Sequence, residues 1–473
     1  MHGELTPEAN LDACIRRMQL AGMPPALVRH FAHQYEAWRL GVTGRVPLDE
    51  VDHTEAGDLI DPAGLPAPDR AHRRALLRRL VVIKLNGGLG TTMHLDRAKS
   101  LIEVREGRSF LDLVARQIEH LRSRTGARLP LLLMNSFRTR RESLTALDGF
   151  ENPDDLPLDF LQHRVPRIES RTGRPFGRAE KASGWAPPGH GDVYLALHTS
   201  GLLDRLLGAG YRWAFVSNGD NLGATVESRL CADFVERGRA MAMEVTDKTA
   251  MDRKGGTLVR RGGRLFLLER SMVDPRDMPA FTDLERFPVF NTNSLWIDLM
   301  AVRVALHGGL LELPLIINRK RVDDTPVLQF ETAMGAAIGC FRSTVGYRVP
   351  RTRFAPVKST EDLMVVRSDA YRIDGAGAVR PDPDRRLPGP PTVTLDPVYR
   401  SLQAFDARVP APLGLRDCRS LTVEGDVTFG RDVQIEGRVT LRADRARVKD
   451  GARFADGAWR FDGKRWVADV LGG

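Results

Sequence analysis

Four short, almost entirely apolar segments constrain the fold of this chain more than any other feature. They span residues 80–83, 131–134, 213–216 and 241–245, and amphipathic helical patterns lie between them. Such runs are typical of strands buried on both faces, and their alternation with helices predicts a mostly parallel sheet with right-handed crossovers. We therefore expect an α/β fold that binds its ligand beyond the carboxyl ends of these strands.

One helix start is clearly marked. Ser109 and Asp112 have the spacing of a capping box, in which each side chain bonds the backbone of the other residue. Leu111, Val114 and Ile118 then recur on one face of the predicted helix. The helix is therefore expected to begin directly after Ser109.

A repeat of period six near the carboxyl terminus predicts a second kind of fold. Pairs of apolar residues two apart recur every six residues, with glycines at the turns between them. The pairs are Leu421 and Val423, Val427 and Phe429, Val433 and Ile435, and Val439 and Leu441, and the glycines are Gly425, Gly430 and Gly437. This pattern predicts a parallel β-helix. Because the coil is short and its end is open, we expect it to stack on another copy in a homo-oligomer.

The length and the prolines suggest how the chain is divided. A chain of 473 residues is long enough for two or three domains. We expect an N-terminal helical segment over residues 1–75 and the α/β domain over 76–380. Prolines near 381–391 indicate a linker, so that residues 381–473 contain the linker and the β-helix domain.

Charge and cysteine content limit the class of protein. Basic residues number 70 and acidic residues 61, which gives a formal net charge of +9. The basic residues are spread along the chain instead of forming the patch typical of nucleic-acid binders, so we expect a small anionic substrate and no nucleic acid. No apolar run reaches the ~18–20 residues of a membrane span, no signal-peptide pattern begins the chain, and the four cysteines are far apart. We expect a cytoplasmic protein without membrane association.

Two glycine-rich segments are candidates for ligand contact. Residues 84–93 read KLNGGLGTTM with Lys99 shortly after them, and residues 187–192 read PPGHGD. Glycines leave backbone N–H groups open to phosphate oxygens or a base edge. Neither common phosphate motif fits, because Ala98 replaces the glycine that precedes the lysine of a Walker A loop and Met93 replaces the third glycine of GxGxxG. The segments predict a ligand site, with tight structural turns as the alternative.

A carboxylate and several scarce lysines complete the pattern. Asp220 follows the third strand, where a carboxylate suits Mg²⁺ that also binds phosphate oxygens, although an Asx turn is the alternative. Only nine of the 70 basic residues are lysines, and Lys248, Lys254 and Lys358 lie next to loop signals. With Lys99 they predict a clamp for an anionic transition state.

A series of longer segments resembles one family. These segments occur in order between about residues 81 and 367, and EGDVTFG near residue 427 extends the match. They include LNGGLGTTM, KSLIEVR, LLMNSF, RVPRI, PPGHGDVY, MEVTDKT, KGGTL, FNTNSLW, QFETAMGAAI and VPRTRFAPVKSTEDL. In these segments the chain resembles the UTP–glucose-1-phosphate uridylyltransferases, or UDP-glucose pyrophosphorylases.

The resemblance implies a fold and a reaction. The fold would be a Rossmann-like nucleotidyltransferase with a GT-A-like mixed sheet, residues 76–380 forming the catalytic domain, followed by a left-handed parallel β-helix. The reaction would be Mg²⁺-dependent transfer of UMP from UTP to glucose 1-phosphate, giving UDP-glucose and pyrophosphate. UTP and glucose 1-phosphate would be the small-molecule partners and Mg²⁺ the cofactor.

The resemblance also implies roles for particular residues. Lys99 and Lys358 would contact the UTP phosphates, Lys248 would neutralise the sugar phosphate, and Asp220 would bind the metal. Gln162 suits uracil because its amide can offer both a donor and an acceptor to the imide edge. The residues around the nucleotide would be Leu85, Asn86, Gly87, Gly88, Gly90, Met134, Gln162 and Gly191. The residues around the sugar would be His190, Asn218, Gly256, Glu269, Asn291 and Asn293.

Two departures from the family pattern affect the expected kinetics. Residues 94–98 read HLDRA where the family usually has GCKGP, so Asp96 adds a negative charge that Arg97 offsets. Gly219 replaces a larger apolar residue before Asp220. Neither change removes a group assigned above, so we expect activity with altered kinetics at most.

Three alternatives remain open from the sequence. The same fold could serve a UDP-N-acetylhexosamine or broad-specificity UDP-sugar pyrophosphorylase, because a sequence does not show the room in a pocket. An inactive sugar-nucleotide-binding scaffold is a second alternative, although the presence of Lys99, Asp220, Lys248 and Lys358 together disfavours it. A nucleic-acid binder, suggested only by net charge, ranks last.

Overall fold

The computed structural model describes residues 7–90, 93–95, 97–249, 252–307 and 311–468. The sequence alternates helices and strands over much of this length, as expected. The α-helices are α1 (Pro7–Leu20), α2 (Pro25–Arg39), α3 (Arg70–Leu77), α4 (Phe110–Thr125), α5 (Arg140–Ala146), α6 (Val193–Thr199), α7 (Leu202–Gly208), α8 (Ser228–Glu236), α9 (Met278–Phe281), α10 (Leu299–His307), α11 (Thr360–Arg367) and α12 (Leu402–Arg408). No helix in the described part of the chain is long and apolar enough to span a membrane.

A central sheet of eight strands contains all four apolar segments. Its strands in chain order are β1 (Leu59–Ile60), β2 (Leu80–Asn86), β3 (Leu131–Asn135), β4 (Asp159–Leu161), β5 (Trp213–Asn218), β6 (Met241–Asp247), β7 (Val289–Asp298) and β8 (Thr344–Arg348). Their order across the sheet is β1-β8-β6-β7-β5-β2-β3-β4. Every neighbouring pair is parallel except the two that involve β7, which is antiparallel to β5 and β6. The fold is therefore mixed α/β with a mostly parallel sheet.

Burial on both faces explains the apolar runs. In β2, Leu80 and Val82 pack in one hydrophobic core, whereas Val81 and Ile83 pack in another. Because successive side chains of a strand point to opposite faces, the two cores lie on opposite sides of the sheet. The capping box is also present, since the side chains of Ser109 and Asp112 each bond the backbone of the other residue.

The N-terminal helices pack on the α/β region. Cys14 and Met18 of α1 and Phe31 of α2 share a core with Trp185 and Phe330. The last two residues lie in the strands Trp185–Ala186 and Thr325–Glu331. The remaining short strands outside the central and C-terminal sheets are Glu103–Arg105, Arg108–Ser109, Val165–Pro166, Ile168–Glu169, Thr257–Arg261, Arg264–Leu268, Ile316–Val322, Tyr371–Ile373 and Val379–Pro381.

A second sheet lies at the carboxyl end of the chain. Its five strands are β9 (Thr392–Leu395), β10 (Cys418–Thr428), β12 (Gly437–Arg447), β14 (Gly457–Phe461) and β15 (Trp466–Ala468). Two further strands, β11 (Gln434–Ile435) and β13 (Arg453–Phe454), form a separate pair. β9, β10, β12 and β14 pair in parallel, and β15 is antiparallel to β14. All eight apolar residues of the period-six repeat are buried, as their spacing predicts.

Candidate active site

The candidate site is a cavity of about 370 Å³ at the carboxyl ends of β2, β3 and β5. A volume of this size suits a small-molecule ligand, and its place at the edge of a parallel sheet is where such ligands bind. The residues that line it are Leu85, Asn86, Gly87, Gly88, Leu89, Lys99, Ser100, Met134, Gln162, Pro187, Gly189, His190, Asn218, Gly219 and Asp220. Many of the residues assigned from the sequence therefore converge here.

The glycine turn presents backbone to this cavity. The Asn86 side chain is held by other residues, because its amide donates to Asn135 Oδ1 and to Ser143 Oγ, both at 2.7 Å. Gly88 faces open space, since no other atom lies within 4 Å of the position that a Cβ would take there. The turn can therefore offer N–H groups to a ligand without a side chain in between.

Gln162 is held beside the turn by backbone contacts. It follows β4, its N–H donates to Asn135 O at 2.8 Å, and its Nε2 donates to Gly189 O at 2.9 Å. A Cβ added at Gly87 would lie 2.7 Å from Gln162 Oε1. The carboxamide is thus fixed against the glycine turn, with one N–H and the acceptor oxygen available to a ligand.

Asp192 ties the Gln162 segment to the second glycine-rich segment. Its buried carboxylate accepts from the backbone N–H of His163 at 2.7 Å and contacts the His163 ring at 2.8 Å. On its other side, the His163 ring contacts Thr199 Oγ1 at 2.9 Å. Hydrogen bonds of the Gln162 and Asp192 side chains therefore join residues 162–163 to residues 189–192.

His190 is positioned as a neutral hydrogen-bond donor. Its Nδ1 accepts from the N–H of Met334 at 3.0 Å, which leaves the ring proton on Nε2. Burial lowers the pKa of His190 to about 4, so the ring is uncharged near neutral pH. An uncharged Nε2–H at the cavity wall suits a substrate hydroxyl.

Lys99 and Asp220 meet across the cavity. The Lys99 amine donates to the Asp220 carboxylate, and both side chains are partly buried. Among the described residues no group of three or more His, Cys, Asp or Glu side chains could hold a metal by itself. One carboxylate in a cavity that could hold a phosphate-bearing ligand fits Mg²⁺, which commonly takes one or two protein carboxylates and completes its shell with phosphate oxygens and water.

The segment that carries Lys358 lies against the Asp220 turn. Pro356 forms an isolated antiparallel bridge with Asn221, the neighbour of Asp220. Lys358 is exposed just before α11, and its backbone N–H donates to Asp362 Oδ2 at 2.7 Å. Its amine lies 5.7 Å from the centre of the Phe354 ring. Lys358 is not one of the residues that line the cavity.

Four of the six residues assigned to the sugar form a second cluster, whereas His190 and Asn218 line the cavity itself. A Cβ at Gly256 would lie 2.7 Å from Glu269 Oε2, and Asn291 Nδ2 donates to Asn293 Oδ1 at 3.0 Å. Burial raises the pKa of Glu269, although a hydrogen bond from Asn291 and the charge of Lys358 oppose this shift. Asn293 has a φ of +55°, in the left-handed region that asparagine adopts more readily than most residues other than glycine.

Lys248 is placed differently from the other lysines. Its amine is buried 4.9 Å from the centre of the Phe281 ring and 5.9 Å from that of Phe287, with no hydrogen-bond partner among the described residues. Burial lowers the pKa of Lys248 to about 8, although the charge of Asp252 acts to raise it. The side chain does not line the cavity.

Two glycines assigned to the nucleotide do not line the cavity. Gly90 packs toward Leu95, and a Cβ at Gly191 would lie 2.4 Å from Thr332 Oγ1, so these glycines permit close packing outside the cavity wall. Asp96 lies outside the described residues. Gly219 does line the cavity, and its N–H donates to Leu85 O at 3.0 Å.

Sequence reasoning missed a buried charged network below the site. The guanidinium of Arg353 makes two hydrogen bonds to the buried Glu244 carboxylate, at 2.7 and 2.8 Å, and a third to Thr225 O at 2.8 Å. Lys84 is buried nearby. The scarcity of lysine was the only signal for Lys84, and nothing in the sequence pairs Glu244 with Arg353.

A wider groove of about 1150 Å³ lies elsewhere, lined by parts of α3, α4 and α8 and by residues after β8. It carries both signs of charge, including Arg73, Arg124, Asp61 and Glu227. None of the residues assigned from the sequence lines it. The smaller cavity is therefore the candidate active site.

Known proteins resemble this chain over most of its length. The sequence profile of the family described as UTP--glucose-1-phosphate uridylyltransferase matches residues 28–436. The protein of that name from Solanum tuberosum is 40% identical over 433 residues, which cover 88% of this chain and 91% of the relative. The one from Hordeum vulgare is 42% identical over 414 residues, which cover 86% of each chain. A mutant UDP-glucose pyrophosphorylase from Leishmania major, solved in complex with UDP-glucose, has a TM-score of 0.87 at 38% identity and covers 96% of this chain and 99% of that one.

Proposed function

We propose how this site works from one premise: the chain belongs to the UTP–glucose-1-phosphate uridylyltransferase family. It is a nucleotidyltransferase that forms UDP-glucose from UTP and glucose 1-phosphate. The observation that supports placing this reaction in the cavity is the convergence of Gln162, Lys99 and Asp220 on one glycine turn. These residues offer a base reader, a phosphate-binding amine and a metal-binding carboxylate within a single ligand site.

The nucleotide is proposed to lie over the glycine turn. The carboxamide of Gln162 would read the imide edge of uracil, while Leu85, Met134 and the backbone of residues 86–88 would surround the ring and ribose. The Lys99 amine would contact the phosphates, and the exposed Lys358 would reach them from the neighbouring segment. Gly90 and Gly191 would act by shaping the two glycine-rich segments.

The sugar phosphate is proposed to bind toward the second cluster. The neutral His190 and the amide of Asn218 would donate to sugar hydroxyls at the cavity wall, with Gly256, Glu269, Asn291 and Asn293 beyond them. Hydroxyl groups need such directional polar partners because each can both donate and accept. Lys248 would neutralise the sugar phosphate once its amine leaves the aromatic rings.

The chemical step requires little covalent work from the protein. An oxygen of the sugar phosphate attacks the α-phosphorus of UTP in line, a new P–O bond forms, and the bond to the bridging oxygen breaks as pyrophosphate leaves. No general base is needed because the attacking phosphate is already ionised. Lys99 and Lys358 would stabilise the charge that grows on the α-phosphoryl and leaving groups, which is the main catalytic contribution of such side chains.

Mg²⁺ is proposed as the cofactor, held by Asp220. When bound, a magnesium ion offsets the negative charge of the phosphates and aligns their oxygens. The Asp220 carboxylate pairs with the Lys99 amine in this structure. When Mg²⁺ binds, either both cations would contact the carboxylate, or the metal would displace the amine from it. Both arrangements keep positive charge at the phosphates.

The finer fold assignment is also a proposal. The central sheet is taken as a Rossmann-like, GT-A-like sheet, and the C-terminal strands as a left-handed parallel β-helix. In support, Leu421 pairs with Val439 and Val439 pairs with Gly457, so the register advances by three repeats of six along the chain. We propose the divisions 1–75, 76–380 and 381–473, a homo-oligomer formed through the coil, and a cytoplasmic location without nucleic acid or membrane partners.

A pyrophosphate-release assay tests the substrate assignment. UTP is supplied with glucose, galactose or N-acetylglucosamine 1-phosphate, with and without Mg²⁺. We expect release with glucose 1-phosphate only when Mg²⁺ is present. Release with N-acetylglucosamine 1-phosphate but not with glucose 1-phosphate would favour the amino-sugar alternative, and no release with any sugar would favour an inactive scaffold.

A further inference from the structure

Lys84 is a buried lysine for which the proposed reaction has no use. It lies on β2, just before the glycine turn, and only 2% of its surface is exposed. Its amine donates to Ser217 Oγ at 2.7 Å and to Ala224 O at 2.8 Å. Its third neighbour is the Phe215 ring, whose centre lies 5.8 Å away. Among the described residues no carboxylate forms an ion pair with it.

Burying an amine at this position costs free energy. Burial, followed by the nearby charge of Arg353, lowers the pKa of Lys84 to about 7, while Glu244 and Asp220 act to raise it. A buried ammonium loses its hydration, and a methionine of similar length would fill the same space without that loss. The two hydrogen bonds are therefore the reason for a lysine at this position.

Those two bonds close one turn. We call residues 217–224 the metal turn, because Asp220 lies within it. Ser217 is at the start of the turn and Ala224 is at its end. The amine of Lys84 therefore connects both ends of the turn by its two hydrogen bonds. Inside the turn, the N–H of Gly219 donates to Leu85 O at 3.0 Å.

A second set of contacts holds the same turn from the side. Asn221 accepts from the N–H of Ala355 at 3.1 Å and donates to Arg353 O at 3.2 Å. Arg353 is anchored on the buried Glu244. The metal turn and the segment that carries Lys358 are thereby joined, and Lys84 fixes the end of this assembly nearest the glycine turn.

We propose that Lys84 is a positioning residue that holds the metal turn closed, so that the Asp220 carboxylate faces the phosphates of UTP at a fixed place. This inference rests on the proposed function, because it uses the assignment of Asp220 to the metal. Residues that orient a metal ligand typically change metal affinity or activity by about 10–100-fold when they are substituted.

The test uses Lys84→Met, which keeps the length of the side chain and removes its donors. Hydrogen exchange of the metal-free full-length protein should be about 10-fold faster at the bonded amides of Gly219, Asn221 and Ala224. The Mg²⁺ concentration for half-maximal activity should rise about 10-fold. The KM for glucose 1-phosphate should change less than about twofold. Ser217→Ala removes one of the two bonds and should give a smaller change in the same two measurements.

Arg212→Met is the matched control. Arg212 precedes β5 at its other end and makes a two-pronged pair with Asp298, with contacts of 2.8–3.0 Å. Its loss should lower the melting temperature but leave the Mg²⁺ requirement and the exchange of the metal turn unchanged. The inference is wrong if a folded Lys84→Met protein matches the wild type in both measurements. If Lys84→Met does not fold, Ser217→Ala decides the question in the same way. Failure of wild-type turnover with Mg²⁺ would instead contradict the proposed function, and the exchange measurement would still test the role of Lys84.

Discussion

The proposed nucleotide end and the proposed sugar end of the site differ in how their residues are positioned. At the nucleotide end, the glycine turn, Lys99 and Asp220 line one cavity at the ends of adjacent parallel strands. At the sugar end, His190 and Asn218 also line this cavity, but Asn291 bonds to Asn293 and is not among the lining residues. Lys248 lies against aromatic rings instead of facing the cavity.

This difference shows which parts of the site the fold prepares in advance. Strand ends and backbone groups are fixed by the sheet, so the nucleotide end is already arranged without its ligand. The sugar end depends on side chains that must exchange their present partners for those of the substrate. We therefore expect substitutions at the two ends to affect different kinetic parameters.

Loss of Lys358 should have the largest effect. Removing one group that stabilises transition-state charge typically lowers kcat by about 10²–10³. We expect a decrease of that size in Lys358→Ala, measured as initial pyrophosphate release at saturating substrates. Lys449→Ala, an exposed lysine near the carboxyl end, is the control and should behave as the wild type. A decrease of less than about 10-fold in Lys358→Ala would exclude Lys358 from the reacting groups.

Substitution of Gln162 should separate the two ends. Gln162→Leu would remove the proposed hydrogen bonds to the base, which are worth about 1–3 kcal/mol when a buried partner is left unpaired, or roughly 5–150-fold in kcat/KM for UTP. The KM for glucose 1-phosphate should stay near its wild-type value. Gln19→Leu, an exposed glutamine of α1, is the control. Equal losses for UTP and for the sugar phosphate would show that the two ends are not independent.

The pH dependence should identify the charge at the sugar end. The pKa of Lys248 is lowered to about 8 by burial, so its amine is charged below that pH and neutral above it. Because only the ammonium form can pair with a phosphate, kcat/KM for glucose 1-phosphate should fall several-fold between pH 8 and pH 9. Lys248→Arg keeps its charge over this range and should remove the fall. An identical fall in wild type and Lys248→Arg would assign the ionisation to another group.

Weakening the hydrogen bonds between Asp192 and His163 should have the smallest effect. Asp192→Asn weakens the contacts to the backbone and ring of His163, which positions Gln162 indirectly. We expect the KM for UTP to rise about threefold to tenfold, since one hydrogen bond to a charged group is worth roughly 1.5–3 kcal/mol and part of the contact remains. The kcat should change little. Asp204→Asn, a substitution at an exposed position of α7, should leave both parameters unchanged.

Much of the fold could be predicted because it follows from local pattern. The apolar runs predict β2, β3, β5 and β6, and the period-six repeat predicts which eight residues of the C-terminal sheet are buried. The packing of α1 and α2 on Trp185 and Phe330 could not be predicted, because nothing in the local sequence specifies the partner of an apolar face.

The site shows the same limit more sharply. The glycine turn and Asp220 could be located because they follow strands, and strand ends meet at one edge of a sheet. The direction of a long side chain depends on contacts with distant residues. The sequence therefore could not show that Lys248 lies against Phe281, or that Lys84 bonds Ala224.

One apolar core joins the two sheets of this chain. Leu80 and Val82 of β2 belong to the same cluster as Leu421 of β10 and Phe454 of β13. The prolines before β9 are typical of a linker between separate domains, but the core shared by the two sheets couples their unfolding. Heat or denaturant that unfolds the carboxyl-terminal strands is therefore expected to expose one face of the central sheet to solvent as well. The carboxyl-terminal strands thus stabilise the sheet that carries the candidate active site, although they lie far from it in sequence.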